Sequence, residues 1–391
     1  MEQYQKETLI YNKQTSLSHR KKLGQYFTKK MIRDNLFQNL PYDKNIVYNM
    51  CELNCGTGEF INSFYEYFNT PNVYSYDIDE KLVNLCKTKF KNLVEIECCD
   101  TLQKQFNIKF DFVIGNPPYF EFKPSDYVKN NYQEVISGRV NIYSLFIKKS
   151  IDITKDGGFI AFVIPTSINN GSYFNKIRDY IKKTCNIHYI KIMGDDEFED
   201  AQQNTQILIL QKIKNKGDYI FTHKGISIFT PYCDELKKLY KNSISLKEAG
   251  YEVTTGNITW NQHKDKLSSS DSDILLIWSH NIKNGTIELK EHPIKKQYIK
   301  FDKFNTEDAI VVNRVTGCGK NAKLKCSMVG SKKYLVENHV NLITKSCDSI
   351  IPIDFIYSQL TSPINNSVIK YITGNTQISK TELLNLFPIY K

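Results

Sequence analysis

The sequence predicts an α/β fold in its first half, a mostly parallel sheet with helices on both faces, and a mixed, β-rich second half. Three observations carry this. Short apolar runs alternate with amphipathic stretches between Ile46 and Ile213. A glycine-containing turn, Cys55-Gly56-Thr57-Gly58, separates the first run from the first helix. After about Lys216 helical periodicity fades, and β-branched residues, Gly and Asn become frequent. Strands separated by helices pair in parallel, because the crossover helix carries the chain back to the starting edge.

Taken in order, residues 46–50 read as the first strand and 59–68 as the helix after the turn. The second strand is 72–77, followed by a helix at 80–90; strands three and four are 93–99 and 110–115. Apolar Ile142, Leu145, Phe146 and Ile151 share one helical face, which predicts a helix over 140–153. A fifth strand at 158–165, a helix at 173–183, and strands at 187–193 and 205–213 complete the half. A junction between 214 and 245 divides the chain into 1–225 and 226–391. Ser379-Lys380-Thr381-Glu382 has the form of a capping box before an apolar run that stops at Pro388.

A length of 391 residues suits two domains of common size. Hydrophobic content of 41%, with 25 Tyr and 22 Phe, excludes a wholly disordered chain. Lys plus Arg is 52 against 42 Asp plus Glu, and the net charge of +10 favours a polyanionic partner. The 10 cysteines show neither paired CxxC spacing nor a HxxxH partner, so no metal site is expected, and reduced thiols fit best. The start of the chain is polar and no apolar run approaches the ~18 residues that span a bilayer, so a cytoplasmic protein without a membrane partner is expected.

The Gly-rich turn lies where open α/β sheets bind nucleotides. Gly56 and Gly58 allow close backbone approach, with Asn54 between them and the strand. Three acids recur at strand ends: Glu52 in the turn, Asp77 beside Ile78, and Asp100 beside Thr101. Asp77 is placed to accept from ribose hydroxyls, Asp100 from a cofactor's adenine amino group, and Glu52 from its amino-acid portion. The turn lacks GxGxxG and GxxxxGK[ST], which disfavours dinucleotide and P-loop binding.

The fourth strand runs straight into Asn116-Pro117-Pro118-Tyr119. Two prolines end the strand and hold an extended geometry. An aromatic amine is a poor nucleophile, because its lone pair is delocalised into the ring. Two acceptors on its hydrogens turn that lone pair towards an electrophile. Asn116 supplies a side-chain carbonyl and Pro117 a rigid backbone one, and both stabilise the charge that develops on nitrogen. Tyr119 offers a face for the planar base.

These residues resemble the gamma-class DNA adenine N(6)-methyltransferases of restriction–modification systems, the NPPY family. The resemblance spans nearly the whole chain and is strongest from Leu23 to Lys212. It implies a Rossmann-like methyltransferase sheet, S-adenosyl-L-methionine as cofactor, base flipping, and a C-terminal target-recognition domain. Leu23-Gly24-Gln25-Tyr26-Phe27-Thr28 is similar to the family's segment that caps the cofactor's methionine end, with Tyr26 and Thr28 as contacts. Glu52, Gly56 and Gly58 match the family's cofactor turn, with Leu53 where Pro is usual. Phe198 matches an aromatic that stacks on the target base opposite Tyr119.

A base inside a duplex must be flipped out to reach such a site, so a second surface has to grip the DNA. The polar stretch from Thr254 to Lys264 supplies Asn257, Trp260, Asn261, His263 and Lys264 as DNA-binding candidates; Arg314 and Lys320 add donors and positive charge. Residues 121–139 form a long polar segment that either closes over the flipped base or is a disordered surface loop. The resemblance implies double-stranded DNA as partner, leaves room for a separately encoded restriction endonuclease, and fits a monomer. The competing readings are methylation of a glutamine amide in a protein or of a base in RNA, which need the same two acceptors, and a non-catalytic DNA-binding subunit.

Overall fold

The computed structural model describes residues 3–193, 204–283, 285–290, 292–317, 322–330, 332–372, 374 and 377–390. The chain divides into two compact units, Met1–Tyr219 and Ile220–Lys391.

The first unit opens with helices α1 (Lys6–Gln14), α2 (Leu17–Leu23) and α3 (Lys30–Gln38). Strand β1 (Asn49–Glu52) follows, then α4 (Glu59–Tyr67), β2 (Asn72–Asp77), α5 (Glu80–Phe90), β3 (Val94–Cys98) and β4 (Phe110–Gly115). The next elements are β5 (Glu121–Phe122), α6 (Asp126–Tyr132), β6 (Val140–Asn141), α7 (Ile142–Ile153) and β7 (Thr154–Pro165). The unit ends with α8 (Asn175–Thr184), β8 (Asn186–Ile192) and β9 (Thr205–Gln211).

Seven of these strands make one sheet, ordered β3-β2-β1-β4-β7-β9-β8. Neighbours from β3 to β7 are parallel, while β9 runs antiparallel to both β7 and β8. This is the mostly parallel sheet expected, closed by a reversed hairpin. Both faces of its central strands are covered. Phe159, Ala161 and Val163 of β7 join a core with Phe37, Phe60 and Phe64, while the alternate Ile160, Phe162 and Ile164 are buried as well. Parallel strands require such two-sided burial, and each fully buried Phe, Leu or Ile contributes about 1.5–3 kcal/mol.

The first strand begins at Asn49, later than its apolar run suggested. Its ladder starts with Asn49 opposite Asn72, so Ile46 and Val47 have no β2 residue to pair with and are exposed. The segment 121–139 is folded and not a disordered surface loop. β5 pairs with β6, Ser125 caps α6 by accepting from the Val128 amide, and Tyr132 is buried and donates to the Leu102 carbonyl at 2.6 Å.

The second unit is mixed. One four-stranded sheet joins Tyr251–Thr255, Val340–Lys345, Ala309–Asn313 and Cys326–Val329 in that order. Another joins Leu267–Ser268, Tyr298–Ile299, Ile274–Ile277 and Tyr334–Val336. Helices Ile353–Leu360 and Pro363–Ile372, which fading periodicity did not suggest, pack Ile356, Leu360, Val368 and Ile369 into the core of the first sheet. The capping box is present: Ser379 Oγ accepts from the Glu382 amide at 3.2 Å, and Glu382 Oε2 accepts from the Ser379 amide at 2.9 Å. Among the described residues no helix is long and apolar enough to cross a membrane, and no cluster of His, Cys, Asp or Glu is placed to hold a metal ion.

Candidate functional site

The carboxyl ends of β1, β2 and β4 open onto a cavity of about 490 Å³. Of the sequence-predicted cofactor residues, Tyr26, Thr28, Glu52, Asn54, Gly56, Asp77, Ile78, Asp100, Thr101 and Asn116 all line it. Gly58 does not. It sits at the N-cap of α4 with φ +81°, and a Cβ there would lie 2.5 Å from the Phe90 ring, so its glycine is required by the turn and by packing against α5.

Each acid takes its place from the strand before it. Glu52 ends β1 and is only 2% exposed. Its Oε2 has no hydrogen-bond partner among the described residues, and burial pushes its carboxyl well above the ordinary range. Asp77 ends β2 and ties the turn to that strand: Oδ2 accepts from the Gly56 amide and Oδ1 from the Asp79 amide, each at 2.9 Å. Burial raises its carboxyl too. Asp100 accepts from the Leu102 amide at 3.0 Å and from Gln103 Nε2 at 2.7 Å. Thr101 donates to the Leu53 carbonyl at 3.2 Å, and Ile78 leaves an exposed apolar edge.

The fourth wall is the segment 23–28, which passes over the tetrapeptide. Gly24 has φ +64°, and a Cβ there would lie 2.8 Å from the Cβ of Pro118. Asn116 Nδ2 donates to the Tyr26 carbonyl at 2.7 Å and to Thr28 Oγ1 at 3.1 Å. The Asn116 backbone carbonyl accepts from Asn54 Nδ2. Buried Arg33 holds Thr28 in turn, donating to its carbonyl while pairing with buried Glu59 at 2.7 Å. Thr8 of α1 completes this network, donating to Glu59 Oε1 at 2.6 Å and meeting the Thr57 hydroxyl.

Pro118 lines the cavity; Pro117 and Tyr119 do not. The Tyr119 ring stacks on Tyr26, with centroids 5.6 Å apart and planes 17° apart, and meets Tyr143 edge-on at 6.2 Å. Its hydroxyl is within reach of Asn116 Oδ1 and of the Val163 carbonyl, 2.6 Å away. Burial pushes this phenol well above its usual range. One face of Tyr119, expected to be open for a base, is therefore taken by Tyr26 in this form. Phe198 lies outside the described residues.

Sequence reasoning did not find the Thr8–Glu59–Arg33 network. A signal existed for α3, whose Ile32, Leu36 and Phe37 share one apolar face with Arg33 beside them. In the second unit the nucleic-acid candidates disperse. Asn257 is exposed and lines a broad groove. Trp260 lies beneath Lys264 and Lys295, at 5.2 and 5.5 Å, while Asn261 is exposed and His263 meets Phe301 edge-on. Arg314 donates to the Asn338 carbonyl at 2.9 Å, a structural role, and Lys320 lies outside the described residues.

The Eco57I restriction-modification methylase family matches residues 62–198. Modification methylase CviBIII of Paramecium bursaria Chlorella virus NC1A is 27% identical, over 100% of this chain and 100% of its own length. Type II methyltransferase M.CvrRI of Paramecium bursaria Chlorella virus XZ-6E is 26% identical, over 88% of this chain and 89% of its own. Type II methyltransferase M.AccI of Acinetobacter calcoaceticus is 28% identical, over 66% of this chain and 50% of its own. The glycine turn and the strand-end acids agree with these relatives: the chain is similar along its length to restriction–modification methyltransferases, with S-adenosylmethionine as the cofactor.

Proposed function

We propose that the protein methylates the exocyclic amino group of adenine in duplex DNA, acting on a base flipped out of the helix. The observation that carries this reading is the state of the Asn116 amide. Both hydrogens of Nδ2 have partners, the Tyr26 carbonyl and the Thr28 hydroxyl. The only group the side chain has left to offer is an acceptor, Oδ1, and an acceptor on the cavity wall suits an incoming N–H. The Tyr119 hydroxyl carries a single hydrogen and has the Val163 carbonyl as a second acceptor, so it can release Oδ1 without losing a bond.

The Pro117 carbonyl is the second acceptor in this reading. Together the two oxygens draw on the hydrogens of the amino group, free its lone pair, and stabilise the positive charge that builds on nitrogen. No strong base is needed, because the product amine loses its proton readily. Bound S-adenosylmethionine supplies the electrophilic methyl. Glu52 would take the cofactor's amino group, Asp77 the ribose hydroxyls and Asp100 the adenine amine. The fit is best at Glu52, where a buried carboxylate oxygen without a partner lines the cavity. Such an atom costs about 1–3 kcal/mol until something donates to it. Tyr119 and Phe198 would hold the target base by stacking, which requires Tyr119 to exchange Tyr26 for the base.

Flipping a base costs a few kcal/mol, and residues 226–391 are assigned to gripping the duplex; the protein's net charge of +10 suits a polyanionic partner without placing it. The test is incubation with labelled cofactor and mixed-sequence duplex, followed by digestion to nucleosides. N(6)-methyladenine is the expected product. Label in RNA or in protein glutamine, with none in DNA, would overturn the assignment.

A further inference from the structure

The second unit holds a groove of about 1300 Å³ between its two four-stranded sheets. That exceeds the ~300–1,000 Å³ of ordinary small-ligand sites. Four lysines line it: Lys266, Lys300, Lys303 and Lys333. All four are exposed, and none has a carboxylate within ion-pairing distance among the described residues. Elsewhere the chain pairs many of its lysines, Lys104 with Glu97 and Lys148 with both Glu134 and Asp152 among them.

The placement of these charges is built into the backbone. The Lys300 amide donates to the Lys266 carbonyl at 3.0 Å, which sets the two residues side by side just beyond the paired strands Leu267–Ser268 and Tyr298–Ile299. Like charges at such positions are destabilising on their own. Lys266 stands over the Phe301 ring at 4.5 Å and Lys333 over the Phe304 ring at 4.6 Å. Each ring holds an ammonium group at the groove without neutralising it. Asp273 and Asp302 also line the groove; carboxylates can accept from the amino groups of bases, which phosphates alone do not present.

We infer that this groove is where the second unit grips the DNA backbone, with Lys266, Lys300, Lys303 and Lys333 bound to phosphates. It rests on the DNA reading above. Of the sequence-based candidates only Asn257 lines this groove among the described residues; Trp260, Asn261, His263, Lys264 and Arg314 do not.

The experiment compares the full-length protein with a variant carrying Lys266→Gln, Lys300→Gln, Lys303→Gln and Lys333→Gln, and with the matching Lys→Arg variant. Duplex affinity is measured across a salt series, and cofactor affinity by calorimetry. Removing one lysine–phosphate pair lowers the slope of log K against log salt by about 0.9. The Gln variant should show a slope smaller by about 3 to 4 and at least tenfold weaker duplex binding, with cofactor affinity unchanged. The Arg variant should keep the native slope, which separates charge from folding. If the Gln variant retains the native slope while the native protein methylates DNA, the groove assignment fails alone. If the native protein neither binds nor methylates duplex, the DNA reading fails first. An equal loss of binding in the Arg variant would mark a packing role and overturn the proposal.

Discussion

At Asn116 the amide is turned by two partners of different kinds, a backbone carbonyl that mutation cannot remove and a side-chain hydroxyl that it can. Asn116→Ala removes the acceptor itself. Losing one preorganised polar group of this sort costs about 10²–10³ in kcat, and cofactor affinity should stay within a few-fold. Thr28→Val leaves one half-buried N–H of Asn116 without its Thr28 partner, a cost of about 1–3 kcal/mol, so single-turnover methylation should slow about ten- to a hundredfold. Thr28→Ser should restore it, and a Ser variant as slow as Val would show that the hydroxyl does not orient the amide. Glu52 makes a pH prediction. Its folded pKa lies above its ordinary value of 4.5 because it is buried, so the folded state binds the proton more tightly. Its stabilising contribution is complete below 4.5 and is lost as pH rises through the folded value. Thermal midpoints of the free protein should therefore fall with pH in that range, and Glu52→Gln should flatten part of the fall, the rest belonging to Asp77. A cationic group beside Glu52 favours its ionised form, so cofactor binding should strengthen as pH rises through the same window and weaken about tenfold or more in Glu52→Gln. A cofactor affinity that Glu52→Gln leaves untouched would remove Glu52 from the site.

Among the elements, the segment 23–28 does most to connect the two halves of the site, and its glycine is what lets it lie close. Gly24 combines φ +64° with a would-be Cβ 2.8 Å from Pro118 and 2.9 Å from the Phe120 ring. Gly24→Ala must either move the segment or move the tetrapeptide. Methylation should drop at least tenfold with a lower thermal midpoint, measured side by side; full activity would mean that the segment does not set the catalytic loop. Most strands were legible in the sequence because each is an apolar run ended by a turn residue or an acid, and Asp77 could be placed on that basis; the strand before Asp100 alternates Val94 and Ile96 with Glu95 and Glu97. Helix α1 was not legible. Its sequence KETLIYNKQ has no apolar face, and its anchor is a hydroxyl meeting Thr57 and Glu59, residues far away in the chain. Gly58 misled for a related reason. A glycine required by a left-handed backbone and by Phe90 looks the same in sequence as one required by a ligand.

At the scale of the whole chain, every cofactor residue proposed lies in Met1–Tyr219, and the groove lysines lie in Ile220–Lys391. The net charge of +10 pointed to a polyanion but not to a place, because a lysine in a groove and a lysine on a solvated face are identical until the fold brings their neighbours together. The division makes the two ligands separable in one measurement. A ligand that binds only the folded state adds RT ln(1 + [L]/Kd) to the openings it suppresses, about 2.7 kcal/mol at a hundredfold excess over Kd. In hydrogen exchange, the product form of the cofactor at that excess should slow amides about a hundredfold around Thr28, 52–58, 77–79 and 100–103, since about 1.4 kcal/mol is a factor of ten. The strands Tyr251–Thr255 and Tyr298–Ile299 should be slowed by duplex and much less by cofactor. Protection by cofactor of equal size in both sets would show that the two ligands act on one cooperative body, and would withdraw the assignment of separate tasks to the two units.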